Sequence, residues 1–229
     1  MGYKLTWMYI WSQKVRPSWW GGWQPWANTV AYYPLDTDFT DWSWNSRDLT
    51  NTWATITTQG WVACAYFDGS SYADYNGYSL SNTGRTILWW CYIPNDNTTK
   101  AFVHISNYNK LHPTGSLGLL LNWTTIIVSD WVANYNNGTF TPNQWFLLTI
   151  TQAWASEILY MNWVQVSTKS DYPSEWDAPD GWCLWAKFCS IYTEKLTWYL
   201  SNVILEDKER TAQEISDYFD LTKSAYWVS

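Results

Sequence analysis

From residue 29 onward, short runs of apolar, β-branched and aromatic residues alternate with clusters of Asn, Asp, Gly, Thr and Pro. Each run is about the length of a strand, and each cluster carries turn chemistry. This pattern predicts strands over 29–34, 54–57, 62–67, 86–93, 101–106, 116–121, 124–129, 145–151, 157–161, 164–167 and 197–205. No helical period intervenes between them, so the fold class is all-β, an antiparallel two-sheet sandwich. One helix is signalled near the end of the chain. Thr211-Ala-Gln-Glu214 has the spacing of a capping box, and Ile215, Tyr218 and Phe219 at i, i+3 and i+4 give the helix one apolar face to lay on the sandwich.

Ahead of that pattern, residues 3–16 predict one short strand or hairpin, and the breaker-rich stretch Pro17-Ser-Trp-Trp-Gly-Gly-Trp-Gln-Pro25 predicts a linker. The expected division is therefore 1–26, an N-terminal strand and linker, and 27–229, the sandwich domain. The first ten residues lack a charged segment leading into an apolar one, so a removable secretory signal is not expected within this chain. No apolar run approaches the ~18 residues that suggest a membrane span, so membrane insertion is not expected either.

Charge narrows the partners. Twenty acidic residues against 13 basic ones give a net charge of −7, and the Lys and Arg residues form no stripe, which argues against a nucleic-acid partner. Cys64, Cys91, Cys183 and Cys189 show no CxxC spacing; the choices are buried free thiols or a Cys183–Cys189 bridge. His104 and His112 lie in unrelated settings, too few for a zinc site.

Composition changes the picture in one respect. The 229 residues include 22 tryptophans and 11 glycines, where average usage would supply about 16 glycines. Many of the tryptophans follow Asn or Asp between predicted strands, as in Asn122-Trp123, Asn162-Trp163, Asp130-Trp131 and Asp41-Trp42. A two-residue hairpin turn wants Asn-Gly or Asp-Gly there, because positive φ suits glycine and strains a bulky side chain. Trp19, Trp20 and Trp23 occupy the linker, another place for glycine. These positions fit UGA codons that the natural host reads as glycine and that appear here as tryptophan; the alternative is a genuinely tryptophan-rich sugar binder whose rings stack on pyranose faces. Trp90 and Trp145 sit inside apolar runs where a large ring belongs in a core, and are read as genuine.

With that substitution in mind, the chain resembles the concanavalin A-like, laminin-G-like jelly-roll family over roughly residues 28–222. The matching pieces run in order: Val30-Ala-Tyr-Tyr-Pro-Leu-Asp36, Asp41-Trp-Ser-Trp-Asn-Ser-Arg-Asp-Leu-Thr50, Tyr66-Phe-Asp-Gly-Ser-Ser-Tyr72, Thr86-Ile-Leu-Trp-Trp90, Gln144-Trp-Phe-Leu-Leu-Thr149, Leu159-Tyr-Met-Asn-Trp-Val164, and Leu200-Ser-Asn-Val-Ile-Leu-Glu206 leading into Thr211-Ala-Gln-Glu-Ile215. The departures are tryptophans at family glycine positions. The resemblance implies two curved antiparallel sheets in a jelly roll and, for most members, binding of glycans or other surface ligands without catalysis, in some with a calcium ion.

Candidate chemistry is sparse. A glycan hydrolase of this fold would need two carboxylates facing one way on a strand. The nearest set, Glu175-Trp-Asp177-Ala-Pro-Asp180, is bracketed by prolines and predicts a solvated loop, and Glu206-Asp-Lys-Glu209 predicts a charged connection. Asp36, Asp38 and Asp41 are the candidate metal ligands, for calcium, with Asp68 as a further ligand or a turn former. Asn107, Tyr108, Asn134 and Tyr135 offer amides and planar rings in polar loops or strand ends, and are the candidate ligand-binding residues. The expected function is a non-catalytic carbohydrate-binding or adhesion module on a cell or virion surface, with a glycan or surface protein as partner. The alternatives are a structural spacer that docks into a larger surface or tail assembly through its N-terminal segment, and a glycan hydrolase.

Overall fold

The computed structural model describes residues 26–78, 80, 84–95, 102–105, 117–122, 125–130, 133–153, 156–170, 181–184 and 197–228. Fifteen strands lie within them: β1 Thr29–Tyr33, β2 Thr50–Thr52, β3 Thr55–Gln59, β4 Val62–Phe67, β5 Tyr72–Asn76, β6 Arg85–Tyr92, β7 Phe102–Ile105, β8 Leu117–Asn122, β9 Thr125–Asp130, β10 Ala133–Thr139, β11 Trp145–Ala153, β12 Ser156–Met161, β13 Val164–Ser170, β14 Gly181–Leu184 and β15 Trp198–Glu206. They form two antiparallel sheets. The larger runs β13-β12-β11-β6-β15-β4-β3, with β1 also pairing β15, and the smaller runs β10-β9-β8-β7-β14-β5-β2. The helix α1, Ala212–Thr222, follows β15 and passes into a 3-10 turn at Lys223–Tyr226.

The central strands of the larger sheet are buried on both faces. Ile87, Trp89 and Cys91 of β6 point into the core between the sheets together with Phe146, Leu148 and Ile150 of β11 and Trp182 and Leu184 of β14. The alternate residues Leu88, Trp90, Trp145 and Leu147 enter a second cluster with Tyr218, Phe219 and Tyr226. Period-two alternation sends successive side chains to opposite faces, so a strand roofed on both sides reads as a continuous apolar run. Both Trp90 and Trp145, expected in the core, are buried. Cys64 and Cys91 are buried free thiols; Cys189 and the Cys183 side chain lie outside the described residues.

The helix is placed by the capping box. Thr211 Oγ1 accepts from the Glu214 N–H at 3.2 Å, Glu214 accepts from the Thr211 N–H at 2.9 Å, and Ile215, Tyr218 and Phe219 are buried. The connection entering it corrects one expectation. Glu206, expected in a charged connection, instead ends β15 and is fully buried: Arg210 Nε and Nη2 grip its two oxygens at 2.5 and 2.8 Å and Thr29 Oγ1 donates to it at 3.2 Å. Arg210 in turn lies 4.0 Å over the Trp26 ring and donates from Nη1 to Glu214 at 2.7 Å.

Every strand expected from residue 29 onward is present within a few residues. Four observed strands were not expected: β2, β5, β10 and β14, all in the smaller sheet. Thr50-Asn-Thr, Tyr72-Ala-Asp-Tyr-Asn and Ala133-Asn-Tyr-Asn-Asn-Gly-Thr carry the Asn, Asp and Gly that mark turns, and Gly181-Trp-Cys-Leu is short. Ladder pairing with β9 and β14 overrides that local composition. The N-terminal strand and linker expected at 3–25 lie outside the described residues.

Candidate functional site

One rung of the larger sheet is aromatic across four neighbouring strands. Tyr66 of β4 lies opposite Tyr199 of β15, Tyr199 opposite Tyr92 of β6, and Tyr92 opposite Trp145 of β11. Directly opposed residues on adjacent strands share a face, and this face is the outer one that α1 partly roofs. Successive ring centroids are 5.0, 5.7 and 5.8 Å apart. With strands about 4.8 Å apart the row is about 15 Å long. The three tyrosines are half-buried, so the helix leaves this part of the face open. Burial, and behind it the neighbouring Tyr66, Cys64 and Tyr92, pushes the Tyr199 phenol above its ordinary pKa, so its hydroxyl stays protonated at neutral pH.

The row runs into a cleft of about 680 Å³ at the end of the sandwich. Its aromatic walls include Trp61, Tyr92, Trp145, Phe146, Tyr226 and Trp227, with Trp145 and Tyr226 meeting edge-on at 5.3 Å. Thr139, Thr141, Asn143, Gln144 and Asn162 add amides and hydroxyls, and among the described residues its lining contains no carboxylate. Two walls are fixed by their own bonds: the Trp145 indole N–H donates to the Gln59 carbonyl at 3.2 Å, and Asn162 Oδ1 accepts from the Leu147 N–H at 2.8 Å. The exposed lining is divided about evenly between polar and apolar atoms, so it offers hydrogen bonds as well as ring faces, unlike the mostly apolar lining usual for a small-molecule site.

The candidate carboxylates Asp36, Asp38 and Asp41 are not among the residues that line the cleft. Asn107 and Tyr108 are outside the described residues. Asn134 and Tyr135 are the second and third residues of β10, opposite Ser129 and Val128. Of the three carboxylates proposed for calcium, Asp41 is buried and already satisfied. Its Oδ1 accepts from the Tyr32 and Ser43 N–H groups at 2.9 and 2.8 Å, and its Oδ2 from Ser43 Oγ and the Arg47 N–H at 2.7 and 2.9 Å. Asp38 accepts from the Thr40 N–H at 2.9 Å, and Asp36 from Thr37 Oγ1 at 3.4 Å. Among the described residues no three His, Cys, Asp or Glu side chains are grouped to hold a metal ion. The loop's carboxylates instead hold its turns and tie them to β1.

Asp68 also shapes its turn. Its Oδ1 accepts from the Ser70 N–H, Ser70 Oγ and the Ser71 N–H at 2.8 to 2.9 Å, and these bonds, the Ser70 backbone first, lower its pKa to about 2. Glu214 is also lowered to about 2: burial raises it, but Lys208, the Thr211 N–H and Arg210 together outweigh that. A depressed folded-state pKa stabilises above the unfolded value and is lost as pH falls through the folded one. Stability is therefore expected to decline from about pH 5 toward pH 2, and D68N with E214Q to flatten that decline, as read by urea unfolding across the range.

The aromatic row was missed from sequence because its members come from four separate segments. The only local signal was an aromatic at an alternate position near one end of each apolar run.

No protein-family model matches the chain, and no curated protein matches it. Solved structures do. A botulinum neurotoxin type C structure, of a toxin whose cell entry depends on interaction with two ganglioside molecules, superimposes with a TM-score of 0.66 at 10% identity, covering 84% of this chain and 51% of that one. The binding domain of Paraclostridial Mosquitocidal Protein 1 gives 0.65 at 15% identity, over 84% and 52% of the two chains. The receptor-binding domain of botulinum neurotoxin type G gives 0.63 at 12%, over 85% and 51%. The chain thus spans about half the length of these toxin binding domains, and the likeness establishes a β-sandwich fold.

Proposed function

We propose that the chain is a non-catalytic glycan-binding or adhesion module of the concanavalin A-like, laminin-G-like kind, displayed on a cell or virion surface. A saccharide lies along the Tyr66–Tyr199–Tyr92–Trp145 row with one end in the cleft. The aromatic row carries this reading: a half-exposed line of rings offers flat apolar surface to the C–H faces of sugar rings, and the cleft amides and hydroxyls offer hydrogen bonds to their hydroxyls. Hydrolysis would require a pair of carboxylates beside the bound sugar, and the described residues of the lining include none. The toxin structures of the same fold are binding domains, which agrees with recognition rather than catalysis.

The test is a printed glycan array probed with the full chain and with Y199A, Y92A and Y199F. Binding is expected for the full chain and for Y199F, which keeps the ring, and is expected to be lost in both alanine variants. Binding to no glycan, or equal binding by all four proteins, would remove the row as a saccharide site and favour the structural-spacer reading.

A further inference from the structure

Nine non-glycine residues among those described hold a left-handed backbone, and four of them are tryptophans: Trp53 (φ 65°), Trp61 (72°), Trp163 (74°) and Trp227 (59°). Three more are asparagines, which tolerate this region; a bulky side chain there is an outlier. The same four tryptophans are exposed, between 50% and 89%. They neither pack in a core nor suit the backbone they occupy.

Each position is one that turn geometry assigns to glycine. Gly60-Trp61 is the two-residue tip between β3 and β4, with both φ positive at 58° and 72°, and Asn162-Trp163 joins β12 to β13 with 49° and 74°. Positive φ at both positions is the type I′ hairpin, whose second residue is preferentially glycine. Trp227 ends the 3-10 turn in the left-handed cap, its N–H directed at the Lys223 and Ser224 carbonyls, where helices recruit glycine. Trp53 turns the chain between β2 and β3. By contrast, Trp89, Trp90, Trp145, Trp182 and Trp198 have ordinary backbone and are buried at 6% exposure or less.

We propose that residues 53, 61, 163 and 227 are glycine in the protein as its own cells make it, each codon being UGA read there as glycine. The backbone selects these four independently of the Asn-Trp and Asp-Trp pattern. That pattern points to Trp163 but not to Trp53, Trp61 or Trp227. It also points to Trp42, which has no left-handed backbone and packs half-buried against the outer cluster. Trp123 and Trp131 lie outside the described residues. For the cleft, glycine at 61 and 227 removes two rings from its lining and leaves Tyr92, Phe140, Trp145, Phe146 and Tyr226.

Two measurements test this. The gene is expected to carry UGA at the four positions and UGG at 90 and 145, and peptide mass spectrometry of the protein from its source to find glycine at all four. UGG codons or tryptophan-containing peptides there would overturn the proposal. Independently of the source, replacing the four tryptophans together by glycine (W53G, W61G, W163G, W227G) is expected to raise Tm by about 3 °C per site or more, since a left-handed backbone strains a residue that has a Cβ. W90G is expected to lower it. An unchanged or lower Tm in the fourfold variant would contradict the backbone argument.

Discussion

Replacing Trp90 with alanine is expected to destabilise the domain by about 3–5 kcal/mol, the usual cost of emptying the place of a large buried aromatic. The ring is fully buried and lies between two partners, stacked on Tyr226 at 4.0 Å and 8° and on Phe219 at 5.8 Å and 21°. Its indole N–H donates to Thr222 Oγ1 at 3.2 Å, so one side chain of β6 holds both α1 and the 3-10 turn against the sheet. The cavity has little means of collapsing, because Tyr226 is itself anchored: its hydroxyl donates to Ser201 Oγ at 3.0 Å and receives the Asn202 side-chain amide. W90F, which keeps a ring for the stack and gives up the hydrogen bond, is expected to lose less than half as much. Urea unfolding of the three proteins checks both values, and a W90A loss below about 1 kcal/mol would show that the outer cluster does not hold the helix.

Removing the Arg210 guanidinium is expected to cost about as much, 3–5 kcal/mol or so, by leaving a buried carboxylate without its counter-charge. Burial already raises the pKa of Glu206 and the Arg210 bonds oppose that rise, so R210A should push it higher still. The sign then follows. A raised folded-state pKa contributes stability that is complete below the unfolded value and is lost as pH rises through the folded one. R210A should therefore be least damaging at about pH 4, where Glu206 can take up a proton, and most damaging above neutrality. The double variant R210M/E206L, which removes both charges, should recover part of the loss. Unfolding of the three proteins at pH 4 and pH 8 distinguishes this from simple loss of packing, which would not depend on pH.

The larger sheet was legible because its central strands are apolar on both faces, as in Thr86-Ile-Leu-Trp-Trp-Cys-Tyr and Trp145-Phe-Leu-Leu-Thr-Ile. The helix was legible because its cap and apolar stripe are local. In the smaller sheet β2, β5 and β10 were hidden, since residues such as Asn134 and Asn136 are poor strand formers held by cross-strand pairing. Distance in sequence obscured the rest. Glu206 to Glu209 look like a charged connection until Thr29, 177 residues from Glu206, is seen donating to the buried carboxylate. The hydrogen bonds that Asp41 accepts from the Tyr32 and Arg47 N–H groups, nine and six residues away, could not be read from its spacing to Asp36 and Asp38. The aromatic row joins residues 66, 92, 145 and 199, which only strand order makes neighbours.

The claim that the outer face of the larger sheet is a saccharide site is tested most directly by titration calorimetry. The ligand is the strongest array glycan, and the proteins are the full chain, Y199A, Y199F and W44A, the last altering an exposed tryptophan that does not line the cleft. The account predicts a tenfold or greater loss of affinity in Y199A, about 1.4 kcal/mol, with Y199F and W44A close to the full chain. Equal affinity in Y199A and the full chain would contradict it.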